Sequence, residues 1–203
     1  MDWAAHGLYA LAWASFGLGH SVLANASVKR RLHTLGHSYR LAYNAVATVH
    51  IALVFAAGHL LLGEAPPFPL PVWARAALFD ITGLGVALML WSARYYDMAR
   101  LAGTRQLREP DAPEDEDLRL DGPHRYVRHP FYATGLLIVW GLAQDPLGLA
   151  TALWASVYLV VGAAAEEHRL LRLHGRAYAE YRQRIPGFIP APLIGRRPLS
   201  PQK

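Results

Sequence analysis

The sequence predicts an all-α, polytopic membrane protein with five transmembrane helices and a C-terminal amphipathic helix at the interface. Three observations carry this. Of 203 residues, 53% are hydrophobic and only 17% charged, which leaves too little polar surface to cover one soluble core. The apolar residues fall into runs near the length that spans a bilayer. Basic residues collect in alternate connections, as they do on the cytoplasmic side of membrane proteins.

The first apolar run covers residues 3–24. Ala24-Asn25-Ala26 has the small-x-small pattern of a processing site, but Asp2 stands where a leader would carry a cation, so the run is expected to remain as a span. The second run, 39–63, leads into Pro66-Pro67-Phe68-Pro69-Leu70-Pro71, which cannot continue a helix and predicts a stiff outer loop. The third run is 72–93. The fourth, 131–143, is short, and the fifth, 147–165, follows just beyond Gln144-Asp145-Pro146. These two predict a tight hairpin with its turn on the far side of the membrane. One domain, 1–203, is expected: three spans in 1–96, a cytoplasmic connection in 97–130, the hairpin in 131–165, and a cytoplasmic helix and tail in 166–203.

Lys29, Arg30, Arg31 and Arg40 follow the first run, seven arginines from Arg94 to Arg128 fill the third connection, and the tail carries eight more cations from Arg169 to Lys203. The other two loops hold Glu64 and Asp145 and no lysine. An outside N-terminus and a cytoplasmic C-terminus follow from the positive-inside rule. The formal charge of +5 belongs to that face and argues against a nucleic-acid partner. The absence of cysteine excludes disulfides, thiolate nucleophiles and thiolate metal sites in this chain.

Between the third and fourth runs the acidic stretch 114–117 predicts a solvated loop, with a lid over a site as the alternative. After the fifth run, Leu170, Leu171, Leu173, Ala177 and Tyr181 can share an apolar stripe, with Arg169, Arg172, Arg176 and Arg182 elsewhere around the helix. This predicts a basic amphipathic helix ended by Pro186, then an irregular tail.

Two clusters can carry chemistry. Glu166-Glu167 ends the fifth run after Gly162-Ala163-Ala164-Ala165, small residues that let a flat ligand or another backbone approach. Ionisable residues at a span edge are functional candidates, and the plainer reading is an ion pair with Arg169 or Arg128. In Arg128-His129-Pro130, proline pushes His129 out of the helical region and itself suits a first helical turn. Free amides at such a terminus attract an anion, while Tyr126 or Tyr132 offers a ring face to a cation or a base. An interfacial anchor is the plainer reading here.

The block Gly122-Pro123-x-Arg125-x2-Arg128-His129-Pro130-x-Tyr132-x2-Gly135 resembles the Arg-His-Pro-x-Tyr motif of the isoprenylcysteine carboxyl methyltransferase and phospholipid methyltransferase superfamily of membrane enzymes. Glu166-Glu167, followed by Leu170-x4-Gly175-x2-Tyr178-x2-Tyr181-x4-Pro186, resembles its closing signature. His20-Ser21, Lys29, Tyr39-Arg40, Tyr43-Asn44 and Asp97-x5-Gly103-x-Arg105-Gln106 are similar to bacterial members grouped with thiol methyltransferases and with proteins linked to nitrogen-oxide metabolism. The resemblance implies a bacterial inner-membrane enzyme with an S-adenosylmethionine site at the cytoplasmic end of the last two spans. His124, Tyr126, His129, Pro130, Tyr132, Gly135, Glu166, Glu167, Tyr178 and Tyr181 are its candidate cofactor-binding residues. Arg128 is the candidate stabiliser of an anionic nucleophile, and Glu167 or His129 the candidate base.

Methyl transfer from a sulfonium needs alignment and dehydration rather than a metal. A membrane site suits a hydrophobic or lipid-borne acceptor: a thiol, an isoprenylcysteine-like carboxylate or, less well, a phospholipid amine. Two other classes are compatible with the same sequence. One is a sterol-type reductase using NADPH, with Arg172 or Arg176 toward the 2′-phosphate. The other is non-enzymatic, a sensor or a haem protein with axial ligands among His6, His20, His50 and His59.

Overall fold

The computed structural model describes residues 2–110 and 117–200. Of the acidic stretch, residues 114–116 lie outside the described residues, so the lid expectation does too.

Eight α-helices occur among the described residues: α1 (Trp3–Ala24), α2 (Ala26–Arg31), α3 (Tyr39–Leu62), α4 (Val72–Ala93), α5 (Met98–Ala102), α6 (Arg105–Arg108), α7 (Pro130–Gly141) and α8 (Pro146–Arg184). Short 3-10 turns at His33–Ser38, Gly122–Arg125 and Ala191–Ile194 join or follow them, and no described residue is in a strand. Side-chain caps set several helix starts. Asp2 accepts from the amides of Ala4 and Ala5, Asn25 from Ser27, Asp97 from Arg100, and Asp145 from Gly148 with Pro146 in the first turn.

Three helices are long and apolar enough to cross a membrane: α3 with its 3-10 lead-in (His33–Leu62), α4 and α8. Helix α1 has 22 residues and points Leu8, Leu11, Leu18 and Val22 outward. Helix α7 has 12 residues, about 18 Å at the helical rise, against a hydrocarbon core of about 30 Å. The segment predicted at 131–143 is thus helical but short.

Helix α7 lies between α4 and α8, while α1 and α3 pair and close on α8 from the other side. The main core joins Ala5, Tyr9, Trp13 and Phe16 of α1, Val54 and Leu62 of α3, and Ala150 and Ala155 of α8. Helices α4 and α7 approach through Gly85 and Gly141, where any side chain would meet the facing helix. At the hairpin end, the Phe68 amide donates to the Gln144 carbonyl (2.9 Å), and Arg75 donates to the Gln144 amide oxygen (3.2 Å).

The structure corrects the end of the chain. The fifth span and the amphipathic helix are not separate elements, because α8 continues through both over 39 residues. Its interruption is Gly175, at φ 52 and ψ −122, a conformation that glycine adopts without a Cβ penalty. The break rotates the last turns, so Tyr178 and Tyr181 face inward with Leu170 and Leu171, while Leu173 and Ala177 are exposed. The inward stripe does not lie bare for lipid. Leu118, Leu120, Ile185, Ala191 and Leu199 cover it.

Candidate active site

Pro130 opens α7 as its first residue and leaves His129 at the N-cap with φ −120 and ψ 69. This carries the Arg128 and His129 side chains to the polar extension of α8, beyond the apolar stretch that stops at Ala165. There Glu167 Oε1 accepts from Arg128 Nε at 2.9 Å and Nη2 at 2.6 Å, and meets His129 Nε2 at 3.0 Å. Its other oxygen lies 3.5 Å from Arg182 Nε. Arg128 Nη1 donates to the carbonyls of Arg182 (3.2 Å) and Ile185. One guanidinium therefore ties the start of α7 to the carboxylate and to the C-terminal turn of α8. Charge-assisted bonds of this kind are the stronger class.

His129 Nδ1 faces Glu166 Oε2 at 3.6 Å, so the imidazole stands between two carboxylates. Its side chain is 3% exposed, whereas that of Glu166 is 37% exposed and that of Glu167 13%. Glu166 is the accessible member of the pair. Burial pushes the Glu166 carboxyl up, but the neighbouring His129, Tyr132 and Arg169 hold it below the usual carboxylate range. Burial likewise raises Glu167, and His129 and Arg128 outweigh it. The His129 ring stacks on Tyr132 at 5.5 Å and 7°, and on Phe188 at 5.7 Å and 30°.

The two amides just before α7 pair with the C-terminal segment. Arg128 N donates to the Pro186 carbonyl (2.8 Å) and His129 N to that of Gly187 (3.1 Å). The chain turns back after Ile185 and runs beside residues 125–129. Ala191 N reaches the Tyr126 carbonyl (2.9 Å), and Arg125 exchanges bonds with Leu199. The tail predicted to be irregular is therefore fastened over the motif.

The candidate residues separate accordingly. Arg128, His129, Tyr132, Glu166 and Glu167 form one contiguous cluster. Tyr181 donates to the His124 carbonyl at 2.7 Å from a buried position. Tyr178 is fully buried, and its hydroxyl has no hydrogen-bond partner of good geometry. Pro130 is buried, and Gly135 packs toward Leu159. His124 sits at the edge with its ring 5.3 Å from that of Tyr96; burial lowers its pKa. Tyr126 lies under the Arg125 guanidinium at 5.7 Å. The sequence reading missed Arg182, Phe188 and Tyr96, which stacks on Phe131 at 4.1 Å. The signal for Phe188 was an aromatic set just after Pro186-Gly187.

Two histidines of the haem reading, His20 and His50, both pack on Phe16, with ring centroids 5.7 and 5.5 Å from it. His20 meets Tyr43, His50 meets Ser15 at 3.0 Å, and no group of three or more metal-ligating side chains occurs among the described residues. Clefts of about 380 Å³ beside His6 and Glu64 and about 600 Å³ beside Arg196 and Arg197 are lined by no residue of the Arg128–Glu167 cluster.

A helical membrane scaffold that brings a stacked imidazole and a pair of carboxylates to one end of its last two helices fits the class of membrane methyltransferase that the motifs resemble. Comparison with known proteins agrees along most of the chain. A methanethiol S-methyltransferase of Pseudomonas deceptionensis is 27% identical over 188 residues, 87% of this chain and 69% of the relative. One of Crocosphaera subtropica is 28% identical over 196 residues, covering 90% and 72%. One of Mycobacterium tuberculosis is 27% identical over 187 residues, covering 87% and 75%. No family model and no solved structure matches the chain. These relatives support a membrane methyltransferase.

Proposed function

We propose that the chain is an S-adenosylmethionine-dependent methyltransferase that works in the bacterial inner membrane and methylates a small thiol. The observation that carries this is the cluster joining Arg128 and His129 to Glu166 and Glu167, in a chain whose relatives over 87–90% of its length are methanethiol S-methyltransferases. Among the acceptors first considered, the relatives favour the thiol over a lipid-borne carboxylate or amine. They also favour transfer over reduction, sensing or haem binding.

The residues fit the proposed donor. Glu166 is a half-exposed carboxylate beside the His129–Tyr132–Phe188 stack, which suits an ammonium or sulfonium and a flat base. When bound, the donor supplies an activated methyl group on sulfur. Glu166 and Tyr132 would hold it, and the aromatic stack would exclude water. Arg128 and Glu167 neutralise each other, so their part is to position His129 and the end of α8 rather than to meet the acceptor. Topologically, we propose five spans, counting α1 and α7, with the N-terminus outside and the site in the cytoplasmic leaflet.

Purified protein in lipid nanodiscs, given methyl-labelled S-adenosylmethionine and methanethiol, should release labelled dimethyl sulfide into the headspace. Label found only in lipid or protein, with none volatile, would overturn the thiol assignment.

A further inference from the structure

Nothing described so far uses the His20–Tyr43 pair. His20 lies near the end of α1 and Tyr43 in the second turn of α3, so both sit at the end of the bundle that holds Glu166. Tyr43 Oη is 2.5 Å from His20 Nε2 and 3.0 Å from Nδ1, and the two rings are 4.9 Å apart. Tyr158 of α8 stands edge-on to the His20 ring at 5.9 Å, and Phe16 packs against both.

Tyr158, Gly162 and Glu166 follow at successive four-residue steps, so they share one face of α8. A Cβ built at Gly162 meets nothing within 4 Å, so the face is open between the aromatic ring and the carboxylate. The open face thus joins the His20–Tyr43 pair to the carboxylate proposed to hold the donor.

We propose that His20, oriented by Tyr43, is the general base of the acceptor site and takes the proton of a small thiol that enters beside Tyr158. The inference rests on the thiol methyltransferase reading. A thiol must ionise to be a good nucleophile, and the aromatic walls leave the imidazole as the proton acceptor in place of bulk water. The S–H bond breaks, and the proton passes to the unprotonated ring nitrogen of His20. The thiolate sulfur bonds to the methyl carbon of the sulfonium donor as the carbon–sulfonium bond breaks. That electron pair stays on the departing sulfur, which leaves as a neutral thioether, and the imidazolium returns its proton to water.

The test uses the full-length protein in nanodiscs, with His20→Gln and Tyr43→Phe compared with wild type. Two acceptors are used: an alkanethiol, protonated at neutral pH, and an acidic aromatic thiol, already ionised. His20→Gln should lose on the order of a hundredfold in turnover with the alkanethiol and less than fivefold with the aromatic thiol. Its calorimetric affinity for S-adenosylmethionine should stay within twofold of wild type. Tyr43→Phe should show the same selective loss in smaller degree. Equal losses on both thiols, or no loss on either, in variants that still bind the donor would overturn the base assignment while leaving the thiol reading standing. Wild-type protein inactive on both thiols would overturn the reading and the inference together.

Discussion

Replacing Arg128 by lysine keeps the charge and removes the fork, which isolates what the fork does. The guanidinium sends Nε and Nη2 to Glu167 Oε1 and Nη1 to the carbonyls of Arg182 and Ile185. A lysine ammonium can reach the carboxylate or the two carbonyls, but it cannot bridge them. Both side chains of the Arg128–Glu167 pair are 13% exposed, so solvent does little to replace what is lost. Losing one to two charge-assisted hydrogen bonds removes about 3 kcal/mol, on the order of 8 °C in melting temperature for a chain of this size. Because Glu167 also fixes His129, S-adenosylmethionine affinity should fall about tenfold, or about 1.4 kcal/mol. The assay is calorimetry and thermal unfolding in nanodiscs on Arg128→Lys, Glu167→Gln and the double variant. If both residues act through one clamp, the double variant loses little more than either single one. Fully additive losses, or wild-type melting and affinity in Arg128→Lys, would refute the clamp.

A side chain at Gly141 would sit 2.6 Å from the Leu78 carbonyl oxygen and run into Thr82, so Gly141→Ala should lower stability by about 1–3 kcal/mol. Gly83→Ala, which meets nothing within 4 Å, is the control and should melt at or above wild type. Asp97 has its pKa lowered by the Arg100 amide and then by Arg105; its stabilising contribution is therefore present above the unfolded value of about 3.9 and lost as pH falls through the lower folded value. The difference in melting temperature between pH 5 and pH 3 should shrink in Asp97→Asn, and an unchanged difference would remove Asp97 from the acid response. Reporter fusions after Pro67 and Gln144 should report the outside, and fusions after Arg108 and at Lys203 the cytoplasm; an outside signal at Arg108 would sink the five-span topology.

Much of the helical layout was legible because apolar length is local. The expected runs at 3–24 and 72–93 coincide with α1 and α4. The place where α8 breaks was not legible. A change from apolar to basic composition at Glu166 looks like a boundary, yet nothing there interrupts the backbone, and the real break falls at Gly175. Periodicity carried across that break put Leu173 and Ala177 on the buried stripe in place of Tyr178.

Half of the candidate site was legible for the same reason and half was hidden. The two clusters stand out because charge beside an apolar run is conspicuous, and the structure joins them at 2.6–3.0 Å. What holds them together is backbone pairing of 125–129 with 186–199, through bonds such as Arg128 N to the Pro186 carbonyl and Ala191 N to the Tyr126 carbonyl. Main-chain donors and acceptors are nearly the same for every residue type, so this pairing leaves little mark on composition or periodicity. The proline-rich tail consequently reads as a loose end, although it supplies Phe188 to the His129 stack and accepts from the amides of Arg128 and His129. The side chains we propose for the donor are Glu166 and Tyr132. A carboxylate at that position would favour a cationic donor over an anionic one.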